Sequence, residues 1–152
     1  MLRVIQRLRE EIRGPGDGWT ALRVTAWAAV VRLSKYALPL PRLVRLVAAP
    51  ARGGPRDRQR EQRLVVYARW AARLVRPHDE GSCLERSLVL YRFLTLAHAE
   101  PSLVVGFRSH EDRIGGHVWV VVDGHIVGEP EAAVAGYQVA MRFGPGGVPV
   151  AA

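Results

Sequence analysis

The chain has 152 residues, 49% hydrophobic and 24% charged, with a net charge of +8. That balance suits one globular domain with a real core and excludes a disordered chain. A single cysteine excludes an internal disulfide and predicts a reducing compartment, here the cytoplasm. Lys35 is the only lysine, so the basicity is nearly all arginine. The arginines are scattered along helices, and the cluster Arg52, Arg56, Arg58, Arg60, Arg63 is interrupted by Asp57 and Glu61. No nucleic-acid partner is expected from such a pattern; it suits an acidic peptide or an acidic partner protein.

Met1 to Arg13 reads as a short amphipathic helix carrying Leu2, Ile5, Leu8 and Ile12. Its interleaved arginines leave no apolar run for a signal peptide. Gly14 to Gly18 breaks it. Trp19 to Leu38 is a second helix, with Leu22, Ala26, Ala29, Val30 and Leu33 on its apolar face. Arg23, Arg32 and Lys35 argue against a transmembrane segment there. Pro39 and Pro41 end it, and Arg42 to Val47 gives a short helical turn. Ala51 to Arg56, with Gly53-Gly54-Pro55, is the clearest linker. It divides the chain into an N-terminal helical region, 1–50, small for an independent domain, and a core, 51–152.

Arg58 to Val75 is a long helix with Leu64, Tyr67, Ala68, Ala71, Leu74 and Val75 on one side. Another helix runs from Cys83 to about His98. It is apolar around most of its circumference, with only a narrow polar strip at Glu85, Arg86 and Arg92, as a central buried helix would be. After Pro101 the period becomes strand-like. Leu103 to Phe107 is a strand, Ser109 to Ile114 a charged loop, and His117 to Val122 a strand. Asp123-Gly124 is a hairpin turn and His125 to Glu129 the return strand. Tyr137 to Phe143 is a further strand, and the Gly/Pro-rich end is expected to fray. Helices first and then an antiparallel sheet make an α+β fold, with the cysteine helix packed on the sheet.

Cys83 stands in the first turn of its helix, where unpaired N–H groups and the helix dipole favour an anion such as a thiolate. A lone cysteine is otherwise most often a structural one. What changes the reading is His117, at the start of a strand that shares one face with Trp119 and Val121. A Cys–His pair is the minimal activated thiol, and a third group must orient the imidazole. The hairpin decides which group. A two-residue turn puts Glu129 opposite Val118, on the wrong face. A three-residue loop, Val122-Asp123-Gly124, pairs Val121 with His125 and sets His117 directly opposite Glu129. We expect the second turn, with Glu129 as orienter and Asp123, at the far end of the strand, as runner-up. Trp119 is core or a wall of the site. Arg86, one turn after Cys83, either assists the thiolate or substrate or makes a structural ion pair. The backbone N–H of Cys83 is an oxyanion donor candidate. The remaining histidines lack paired-ligand spacing, so neither a metal nor a cofactor is expected.

The run Ser82-Cys83-Leu84-x-Arg86-Ser87-Leu88 is followed by Gly116-His117-x-Trp119-Val120-x-Val122-Asp123-Gly124, and then by a carboxylate twelve residues after the histidine. Together, over Arg58 to about Phe143, these resemble the leader peptidases of lasso-peptide biosynthesis. The resemblance implies a transglutaminase-like, broadly papain-like, cysteine protease fold. It implies Cys83 as nucleophile, His117 as base and Glu129 at the third position, where that family usually has Asp. It also implies removal of the leader from a ribosomally made precursor peptide, after which an ATP-dependent lasso cyclase uses the new amine. The N-terminal region is helical and lacks a three-strand pattern, so leader recognition is expected from a separate PqqD-like protein. The N-terminal helices would dock that protein or the cyclase. A non-catalytic peptide-binding module and an acyl-transferring enzyme are the alternatives on the same fold.

Overall fold

The computed structural model describes residues 15–51, 53–75, 83–110 and 113–151. The helix expected over Met1–Arg13 lies outside them. Helix α1 spans Pro15–Ser34, so Pro15 to Gly18 begin a helix where the sequence suggested a break. Proline is tolerated in a first turn, whose N–H groups have no partner anyway. Asp17 suits the positive end of the dipole, and the Thr20 hydroxyl donates to the Gly16 carbonyl at 2.9 Å. Helix α2, Leu40–Val47, starts at a proline cap and buries Leu43, Val44 and Val47. Helix α3, Arg58–Val75, has the limits its periodicity predicts. It buries Leu64, Tyr67, Ala68, Ala71 and Ala72 and leaves Leu74 on the exposed side.

Helix α4 spans Cys83–Leu96 and closes through His98 at φ 65, with the Ala99 N–H returning to the Leu94 carbonyl at 3.0 Å. Nine of its fourteen residues are buried, which makes it the centre of the molecule. Even its polar strip is covered. Glu85 is 0% exposed and meets Lys35 at 2.7 Å and Arg32 at 3.8 Å. The Arg92 guanidinium lies 3.8 Å over the Trp27 ring and donates to the Val47 carbonyl at 2.8 Å.

Five antiparallel strands follow: β1 Ser102–His110, β2 Arg113–Val122, β3 His125–Val127, β4 Gln138–Phe143 and β5 Pro149–Val150, in the spatial order β3-β2-β1-β4-β5. The α+β class expected from the sequence is thus the observed one. In the segment read as a charged loop, Ser109 and His110 instead extend β1 and Arg113 and Ile114 extend β2, with His110 paired to Arg113. A sheet with one solvated face carries polar residues without ending the ladder.

The second hairpin also differs from expectation. Val122 pairs with His125, so the turn has two residues, Asp123 at φ 52 and Gly124 at φ 80. Positive φ at both positions matches the right-handed twist of the flanking strands, and Asp-Gly is a preferred pair for it. The bulged three-residue loop is therefore excluded, and β3 stops at Val127, not Glu129.

The C-terminal segment is tied down where fraying was expected. The Tyr91 hydroxyl, fully buried on α4, donates to the Gly144 carbonyl at 2.6 Å and accepts the Gly147 N–H at 2.8 Å. One buried cluster unites Val24, Ala28 and Val31 of α1 with Leu64 and Ala68 of α3, Leu88 and Leu94 of α4, and Leu103, Val120 and Phe143 of the sheet. Among the described residues no helix is long and apolar enough to cross a membrane.

Candidate active site

Cys83 is the first residue of α4 and carries a free, half-buried thiol. One turn further on, Arg86 and Ser87 attach the helix to the sheet. The two-residue hairpin fixes which backbone groups of β2 look outward. The C=O groups of Val122, Val120 and Val118 all face β3, because ladder bonds alternate. Because β3 ends at Val127, the Val118 carbonyl has no strand opposite it. The Ser87 hydroxyl takes that place, donating to it at 2.8 Å in a buried position. Helix α4 thus substitutes for a strand along this part of the β2 edge.

Gly128 makes the exchange possible. Its φ of 89 turns the chain out of the ladder. A Cβ there would lie 3.1 Å from Leu90 Cδ2, so α4 comes close at the same point. Glu129, freed from strand register, then reaches back. Its Oε2 accepts His117 Nε2 at 2.8 Å and Arg86 Nη2 at 3.1 Å. Glu129 is only 7% exposed at its side chain, and His117 17%. The carboxylate meets the imidazole without the ladder pairing that the bulged loop required; a left-handed glycine does the work assigned to the turn.

Asp123 is placed elsewhere, at the turn. Its carboxylate binds Arg56, which holds it below the usual carboxylate range. Arg86 is engaged by Glu129, in the ion-pair alternative of its two readings. With Nε2–H donated to Glu129, Nδ1 is the ring nitrogen left to act as base, the tautomer being set by that bond.

Trp119 is 6% exposed and stacks beside His117, with centroids 6.0 Å apart and planes 22° apart. It is core and wall at once. Gly106, across the ladder from His117, leaves the space for its ring: a Cβ there would lie 2.8 Å from Trp119. Tyr137, just before β4, completes the wall at 5.2 Å from the His117 ring and 6.4 Å from Trp119. From sequence Tyr137 reads only as the start of a strand; an aromatic following a turn glycine is the available signal. Among the described residues no group of His, Cys, Asp and Glu could hold a metal ion.

A thiol at the start of a central helix, with an imidazole–carboxylate pair at the adjoining sheet edge, is the layout of papain-like cysteine enzymes. The sequence agrees: a model of the transglutaminase-like superfamily matches residues 21–142, and the chain belongs to that superfamily. Cysteine protease and transglutaminase activities are common in it. The matched span includes most of α1 and runs across residue 50. No curated protein and no solved structure matches the chain.

Proposed function

We propose that this protein is a cysteine peptidase that removes the leader from a ribosomally made lasso-peptide precursor. The observation that carries the chemistry is the Glu129 carboxylate shared by His117 at 2.8 Å and Arg86 at 3.1 Å, one helical turn from Cys83. The motifs around Cys83 and His117, which resemble lasso leader peptidases, support the substrate class.

In this reading His117 Nδ1 takes the Cys83 proton, and the sulfur attacks the scissile carbonyl. The Cys83 N–H, at a helix start, donates to the oxyanion. The imidazolium, held by Glu129, returns its proton to the leaving amine. Water then enters through the same base, hydrolyses the thioester and frees Cys83. Arg86 keeps Glu129 aimed at the ring. A separate PqqD-like protein presents the leader, and an ATP-dependent cyclase consumes the product, both in the cytoplasm. The N-terminal helices dock that protein or the cyclase.

The test is mass spectrometry of a precursor peptide incubated with the protein and its recognition partner. Cys83→Ala and His117→Ala should each abolish cleavage while the fold survives. Glu129→Gln should slow it by about 10- to 100-fold, the loss of one or two charge-assisted hydrogen bonds. Full cleavage by folded Cys83→Ala protein would refute the reading. The superfamily's transglutaminases favour a second one, in which an amine replaces water as acyl acceptor. An amide-linked product with an added amine would identify it.

A further inference from the structure

Arg108 on β1 pairs with Gly115, and Gly106 with His117, so Arg108 shares the sheet face of His117. Its guanidinium carbon lies 4.8 Å over the Tyr137 ring, and that ring lies 5.2 Å from His117. These two distances keep the guanidinium within about 10 Å of the imidazole, which is two to three residues of an extended peptide at ~3.3 Å each. Arg108 is exposed, and among the described residues no carboxylate lies within ion-pair distance of it.

The sheet beside it is bare. Gly115, on the same face as His117 and Arg108, is exposed, and a Cβ there would meet only the Arg108 carbonyl at 3.8 Å. On the same face the Trp119 ring fills the space over Gly106, opposite His117. Gly115 thus leaves a side-chain-free opening between the imidazole and a cation that has no carboxylate partner among the described residues. A guanidinium held over an aromatic ring keeps its N–H fork available for a bidentate acceptor.

From this we propose that Arg108 is a specificity-determining residue that binds an Asp or Glu carboxylate of the peptide substrate, two to three residues from the bond attacked by Cys83. The inference rests on the peptidase reading and names a property of its substrate. An acidic residue near the cut is drawn to the site, and a basic one is repelled by Arg108 in a protein already at +8.

The test uses electrophilic peptides that label Cys83 without any peptide bond being cut. One series is bromoacetyl-Gly-X-amide and the other acetyl-X-Gly-chloromethyl ketone, placing X on either side of the reacting carbon; X is Glu, Gln or Lys. Because Cys83 is the only cysteine, intact mass reads its alkylation directly. In one of the two series the Glu label should react about tenfold faster than its Gln isostere, in line with a charge-assisted contact. The ratio should fall to about one in Arg108→Ala, and Arg108→Glu should favour the Lys label. Equal Glu and Gln rates in both series, or a Glu preference that survives Arg108→Ala, would overturn the proposal. A precursor left uncut would instead count against the peptidase reading, and the labelling ratios would still decide the role of Arg108.

Discussion

Lys35→Met isolates the contact that holds the cysteine helix against α1. Glu85, two residues after Cys83, is 0% exposed and meets Lys35, itself 14% exposed, at 2.7 Å. Methionine keeps the aliphatic stem and removes the charge. Among the described cations Arg32, at 3.8 Å, still lies beside the Glu85 carboxylate. Removing one partner of a buried pair costs about 3–5 kcal/mol, and the distant Arg32 places this case near 3 kcal/mol. For a chain of this size that is roughly 6–12 °C in melting temperature. Lys35→Met/Glu85→Gln should recover most of the loss, because the buried charge is removed together with its partner. Urea and thermal unfolding followed by circular dichroism supply both numbers. A Lys35→Met loss below ~1 kcal/mol, the level of a surface pair, would show that the burial carries no energetic weight. A double variant no more stable than Lys35→Met would refute the pairing argument.

Tyr91→Phe leaves the Gly144 carbonyl and the Gly147 N–H with only their mutual 3.2 Å bond, a loss of ~1 kcal/mol that should appear as a lower urea midpoint. Burial pushes the Tyr91 phenol up from its usual value of 10.0. Its contribution is therefore complete below the unfolded value and lost as pH rises above it toward the folded one. Wild type should lose more stability than Tyr91→Phe between pH 8 and pH 11. Gly106→Ala sets a methyl 2.8 Å from the Trp119 ring and 3.0 Å from the Gln138 carbonyl. It should cost ~1–3 kcal/mol by overpacking and lower Cys83 alkylation by displacing the wall beside His117; unchanged stability would mean the ring moves freely.

The helices could be read from sequence because burial on one side leaves a period, and α3 and α4 begin where the pattern says. Cys83, His117 and Glu129 could be singled out because their chemistry is scarce in this chain. Their assembly was less accessible. Inside a ladder the carboxylate can meet the histidine only across a bulged turn, so the local pattern points to that turn. The molecule takes the favoured Asp-Gly turn and lets Gly128 release Glu129 afterwards, and that glycine was visible just before the carboxylate. The burial of Glu85 was hidden because Lys35 lies fifty residues away. Tyr137 and Arg108 meet only through the β1–β4 pairing, whose register shifts between Val105 and Gly106, a break no local pattern encodes.

A strand that stops after three residues ordinarily exposes its neighbour's backbone, and bare backbone recruits other chains. Here the Ser87 hydroxyl closes that opening from within the molecule. A peptide therefore cannot join the sheet as an added strand beside Val118. Ser87→Ala would reopen the border to strand addition and, with it, to self-association of the protein through that edge.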